Sequence, residues 1–68
     1  MKNNVAAYRV MFKLKQSDLA DILGVRPNTL SFKENGKHDW TNSEMGHIYE
    51  TFKRYKPDIK FEDIFFTQ

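Results

Sequence analysis

Cysteine is absent from this chain of 68 residues, so disulfide bridges and thiolate metal sites are both excluded. No apolar run approaches the ~18 residues needed to span a bilayer, and no apolar segment of the signal-peptide kind follows Met1. The expectation is a soluble cytoplasmic protein with no membrane partner. A Gly-rich phosphate loop, a nucleophile elbow and a recognisable pair of catalytic carboxylates are missing as well. His38 and His47 have no third ligand beside them and match no HExxH pattern, which argues against a metal site. Catalysis and cofactors are therefore not expected, and Glu62 and Asp63 are read as capping or solvating a last helix.

A chain this short buries only about 60% of the surface that its unfolded form exposes, so its stability has to come from close helix packing or from a partner. Hydrophobic residues make up 40% and charged residues 29%, which is ordinary for a globular chain. The net charge of +2 hides an asymmetry. Residues 1–37 carry seven Lys/Arg against three Asp/Glu, whereas residues 38–68 carry four against six. A basic first half and a mildly acidic second half fit one side facing nucleic acid and one side turned away.

Apolar periodicity divides the chain into five helices within a single domain, 1–68. The first spans about 4–13, capped by Asn3 or Asn4, with Val5, Tyr8 and Phe12 on one stripe. The second runs from Gln16 to Leu23 and stops at Gly24, which can adopt a positive φ. The third begins at Pro27, where a missing N–H costs nothing, and stops near Asn35-Gly36. A polar loop over 37–42 contains Trp40. Asn42 or Ser43-Glu44 opens a fourth helix reaching about Arg54, with Met45, Ile48, Tyr49 and Phe52 on one face. A short fifth helix over about 60–66 turns Phe61, Ile64 and Phe65 inward.

The stretch 16–36, QSDLADILGVRPNTLSFKENG, has the form of a DNA-binding helix-turn-helix, with the motif proper at about 16–35. Arg9, Gln16, Leu19-Ala20, Leu23-Gly24-Val25, Thr29-Leu30-Ser31 and Glu34-Asn35-Gly36-Lys37 fall at matching spacings, and IKFEDIF follows as a closing helix. In these residues the chain resembles the small phage repressor and Cro family, within the xenobiotic-response-element group of helix-turn-helix proteins. The resemblance implies a compact all-α, five-helix, lambda-repressor-like domain in a bacterial host cell. It also implies that Gln16 touches the DNA backbone and that Arg9 and Glu34 form a partly buried salt bridge. Two positions depart from the family pattern. Lys33 stands where an aliphatic residue is common, and Arg26 stands where Ser or Thr often caps the recognition helix.

At ~100° per residue, Asn28, Ser31, Phe32 and Asn35 share one face of the third helix, with Leu30 and Glu34 opposite and Thr29 and Lys33 on the flanks. Asn28 can present a bidentate amide to adenine, Ser31 can bond several base edges, and Phe32 can pack on a thymine methyl. Arg26 suits a phosphate or guanine O6/N7. Lys37 and His38 follow the helix as candidate phosphate contacts, and the Lys33 stem can cover apolar surface while its ammonium reaches outward to a phosphate. With Gln16, Ser17, Pro27 and Thr29, these residues make up the expected DNA-binding set.

Phe65 and Phe66 cannot both face inward on one helix, so Phe65 or Phe66, with Trp40 or Tyr55, makes a candidate dimer surface, Phe66 being the more exposed choice; a monomer with one exposed Phe is the alternative. The function expected is that of a Cro-like regulator that binds double-stranded operator DNA in a lysis–lysogeny switch, as a homodimer if it self-associates. The alternatives are a protein-binding relative that holds a second phage regulator, as antirepressor or co-repressor, and an antitoxin.

Overall fold

The computed structural model describes residues 3–66. Among them are five helices and no strand: α1 Val5–Met11, α2 Gln16–Leu23, α3 Pro27–Glu34, α4 Asn42–Tyr55 and α5 Phe61–Phe65. The chain is thus an all-α bundle, and the principal extents of 29 × 24 × 20 Å are those of a compact body.

Local chemistry accounts for each boundary. The Asn3 side-chain oxygen accepts from the Val5 N–H at 3.0 Å at the start of α1. Asn4, the flanking residue, makes no side-chain cap; its Nδ2 donates to the Asp63 carbonyl (2.9 Å) and its backbone N–H to the Ile64 carbonyl (2.7 Å). The N-terminus is thereby fastened to α5. Helix α1 stops two residues short of the expected end, because Lys13 takes a left-handed φ of 61° and breaks the helical run. Asp18 accepts from the Lys15 N–H (2.9 Å) to open α2, and Gly24 closes it at φ 70°, a conformation that costs residues with a Cβ more than glycine. Pro27 occupies the first turn of α3.

Helix α4 begins with a cap that the sequence reading passed over. Thr41 Oγ1 accepts from the Glu44 N–H (3.1 Å), and Glu44 Oε1 accepts from the Thr41 N–H (2.9 Å), a reciprocal capping box. Asn42, one of the two openings read for this helix, is its first residue, and Thr41 is the cap. Asp63 accepts from the Lys60 N–H (3.1 Å) at the start of α5.

All five helices contribute to one core. Val5, Leu19, Ala20, Leu30, Ile48, Phe52, Ile64 and Phe65 are fully buried, and Ile59 and Trp40 nearly so. Tyr8, Phe12, Leu14, Leu23, Val25, Met45, Tyr49 and Phe61 pack around them. Ile22 falls within the apolar pattern of the motif but stands exposed. Leu30 is the one apolar side chain of α3 that is fully buried in this core. Leu30→Ala is expected to destabilise the fold by about 2–5 kcal/mol, the range for deleting a buried leucine. A urea titration followed by circular dichroism measures it. The loss should be a large share of the total, since small domains carry only about 0.05–0.15 kcal/mol per residue.

Candidate nucleic-acid interface

Helices α2 and α3, joined through the Gly24 turn, pack against one another. A buried carboxylate holds them to α1. The Glu34 side chain is 3% exposed. It accepts from Arg9 Nε (2.7 Å) and, at the longer distance of 3.4 Å, from Arg9 Nη2. Gln16 Nε2 donates to the same carboxylate at 3.0 Å. Arg9 Nη1 donates to the Leu14 carbonyl (2.8 Å), so the guanidinium also fixes the link between α1 and α2. Arg9 and Glu34 thus form an ion pair that joins three helices. Gln16 is committed to it through one amide hydrogen, and the second amide hydrogen and the amide oxygen have further hydrogen-bonding capacity.

Lys33 corrects an expectation. Its ammonium does not reach outward but donates to both oxygens of Glu44, at 2.6 and 2.7 Å, and lies 6.0 Å from the centre of the Trp40 ring. The two side chains are 13% and 12% exposed. The cause is angular: Lys33 lies only about 60° from Leu30 around the helix axis, at the margin of the buried side. The ammonium is thus engaged within the bundle instead of extending outward toward a phosphate. Burial pushes the Glu44 carboxyl upward, but hydrogen bonds from Lys33 and Thr41 and the Lys33 charge outweigh it and hold the group below its ordinary value. The sequence reading puts Ser43-Glu44 at the opening of α4 without giving Glu44 a partner, although Thr41-x-x-Glu44 is a legible capping signature.

The opposite side of α3 is open. Asn28, Phe32 and Asn35 are exposed, and Ser31 and Thr29 are half-buried. Asn35 Nδ2 lies 3.5 Å from Ser31 Oγ, the long limit of a hydrogen bond. Arg26 and Pro27 are exposed at the head of the helix, and Arg26 makes no side-chain cap. Ser17 is exposed at the head of α2. After α3, Gly36 takes φ 78° and the Lys37 N–H donates back to the Phe32 carbonyl (2.9 Å). That reversal sets the His38 ring edge-on to Phe32, with centroids 5.7 Å apart, and the Lys37 ammonium 5.8 Å from the Phe32 ring.

The four residues of the candidate dimer surface are placed differently from one another. Phe65 is fully buried and Trp40 nearly so, and their rings meet edge-to-face at 6.3 Å within the core. Tyr55 is half-exposed and stacks on Phe12 at 5.0 Å. Phe66 is 58% exposed, and with His38, Asp39, Trp40 and Met45 it lines a hollow of about 410 Å³. Two of the four residues are core, and the other two have different neighbours. Among the described residues no group of three or more His, Asp or Glu could hold a metal ion, and no helix is long and apolar enough to cross a membrane.

An all-helical bundle whose α2–turn–α3 leaves one helix face open defines the class of helix-turn-helix domains. The chain belongs to the helix-turn-helix transcriptional regulators. Over 65 residues it is 38% identical to the uncharacterized HTH-type transcriptional regulator MJ0272 of Methanocaldococcus jannaschii, covering 96% of this chain and 91% of the relative. No family model matches the chain.

The ion pair beneath α3 makes a test of this architecture. A carboxyl whose folded pKa is depressed stabilises the fold above its unfolded pKa and loses that contribution as pH falls through the folded value. The melting temperature should therefore drop as pH is lowered beneath the ordinary Glu value of 4.5. Glu44→Gln should melt lower than the parent at pH 7 and show a smaller acid drop. Lys33→Ala, which strands Glu44, should cost about 3 kcal/mol at pH 7, the lower end for a broken buried pair because some solvent still reaches both side chains.

Proposed function

We propose that the protein is a sequence-specific regulator that lays α3 in the major groove of an operator and represses by covering promoter DNA. The observation that carries this reading is the division of α3 into two sides. Leu30, Lys33 and Glu34 are tied into the bundle, and Asn28, Ser31, Phe32 and Asn35 are left to face a groove. Short amide and hydroxyl side chains suit base edges, with Asn28 placed for adenine N6 and N7. Arg26 serves a phosphate or a guanine, and Lys37 and His38 serve the backbone beyond the helix, with Ser17, Gln16, Pro27 and Thr29 completing the contact surface. The similarity to a transcriptional regulator supports DNA as the partner.

The residue pattern from Arg9 to Lys37 further supports a Cro-like role in a phage or prophage lysis–lysogeny switch. As a homodimer the protein would select an inverted repeat with half-sites about one helical turn apart. A second reading, a module that holds another regulator, is favoured by one observation: the Phe32 ring is exposed amid polar neighbours.

A mobility-shift assay on the DNA flanking its own gene, run across a salt series, tests the proposal. Absence of binding at low salt, together with co-purification of another regulator, would favour the second reading. Asn28→Ala is expected to weaken specific binding by roughly 1–3 kcal/mol and leave non-specific binding unchanged. Lys37→Ala should weaken both kinds of binding alike and reduce the salt slope by about one.

A further inference from the structure

Phe32 is the one side chain on the open face of α3 that can neither donate nor accept a hydrogen bond. It is 44% exposed, and the side chains sharing its face are Asn28, Ser31 and Asn35. Burial cannot explain it, because the helix reaches the core through Leu30 on the other side. Nor is the ring loose. The Gly36 reversal brings the His38 ring edge-on at 5.7 Å and the Lys37 ammonium to 5.8 Å, so both residues following the helix brace it. An aromatic ring held in this way loses little conformational freedom on binding.

The major groove offers such a ring one kind of apolar partner. Every other feature of its base edges is a hydrogen-bond donor or acceptor, and the exception is the methyl group on C5 of thymine. The same methyl, at the same place on the pyrimidine, marks 5-methylcytosine. We propose that Phe32 reads a pyrimidine 5-methyl group, so that the protein prefers thymine over uracil, and 5-methylcytosine over cytosine, at one position opposite α3. This rests on the reading of α3 as the recognition helix, and it makes cytosine methylation a regulator of the same site. The neighbours on the face divide the work accordingly: Asn28, Ser31 and Asn35 read polar edges, and Phe32 reads the single carbon substituent.

The test uses the full chain and a duplex recovered by selection from a random library. Each thymine of that duplex is replaced in turn by deoxyuridine, and affinity is followed by fluorescence anisotropy. At the position that responds, a 5-methylcytosine·guanine pair is compared with cytosine·guanine. Both comparisons differ by one methyl group only. Burying one methyl predicts about a fourfold preference for the methylated member in each. Phe32→Ala should bind the members of each pair equally, with an affinity for the methylated member below the parent's, and should keep its helical circular dichroism. Phe32→Leu, which keeps an apolar contact, should retain part of the preference. Equal binding of thymine and uracil duplexes at every position by the parent protein would overturn the inference and leave operator binding intact. So would a preference that survives in Phe32→Ala. Failure of the selection to enrich any duplex would instead overturn the operator-binding reading on which the inference stands.

Discussion

Glu34 is a carboxylate placed almost entirely out of solvent at the meeting point of three helices, and the arrangement of the bundle depends on satisfying it. An ionised carboxylate in that position is tolerable only with full compensation. Arg9 supplies the charge and Gln16 a further hydrogen bond, one from α1 and one from α2. Neither donor can be moved without leaving the acceptor short, so the positions of α1 and α2 relative to the end of α3 are set together. The net stabilisation from such a pair is small or uncertain, because desolvation offsets the attraction. What the group contributes is direction: it fixes where the C-terminal turn of α3 lies against the other two helices.

Lys33 adds a second direction from the neighbouring residue. Successive side chains on a helix diverge by about 100°, so Lys33 and Glu34 leave α3 toward different partners, Glu44 on α4 and Arg9 on α1. Their charges are opposite and so are those of their partners. A rotation of α3 that brought Lys33 toward Arg9 would set like charges together and strand Glu44. The two pairs therefore lock the helix about its own axis as well as along it. With Leu30 buried between them in register, the face that carries Asn28, Ser31, Phe32 and Asn35 has one available orientation. Asn3 strengthens the lock, since its Nδ2 donates to the Lys33 carbonyl at 3.1 Å.

The parts of this arrangement that sequence could reveal are those governed by local chemistry. Gly24, Pro27 and Gly36 mark the edges of α2 and α3 because backbone conformation alone decides their placement, and the helix boundaries follow them. The division of α3 into a buried and an open side follows equally from a period of 3.6 residues. The readings that failed turn on neighbours distant in sequence. Lys33 has a stem long enough to reach solvent or the interior, and only the approach of Glu44, eleven residues on, decides between them. Asn4 could cap its own helix, but the carbonyls of Asp63 and Ile64 reach it from the far end of the chain. Trp40 lies in a loop that the sequence marks as polar, and its burial comes from the Phe65 ring of α5, far along the chain.

The polar groups buried in the bundle and the apolar group left outside it belong to one design. A domain of this size has little apolar surface to hide, and Glu34, Glu44 and Thr51 nonetheless occupy buried positions that hydrophobic residues could fill. Phe32 is the converse, a large apolar ring on the outer face of α3, the helix that carries Glu34. Exchanging the two kinds of residue would raise the area buried on folding but would remove the orientation of α3 and the one apolar contact it offers. Stability is thus given up on both sides of a single helix. The inner side spends it on holding the helix at a fixed angle, and the outer side on leaving a ring, flanked by Lys37 and His38, exposed to solvent.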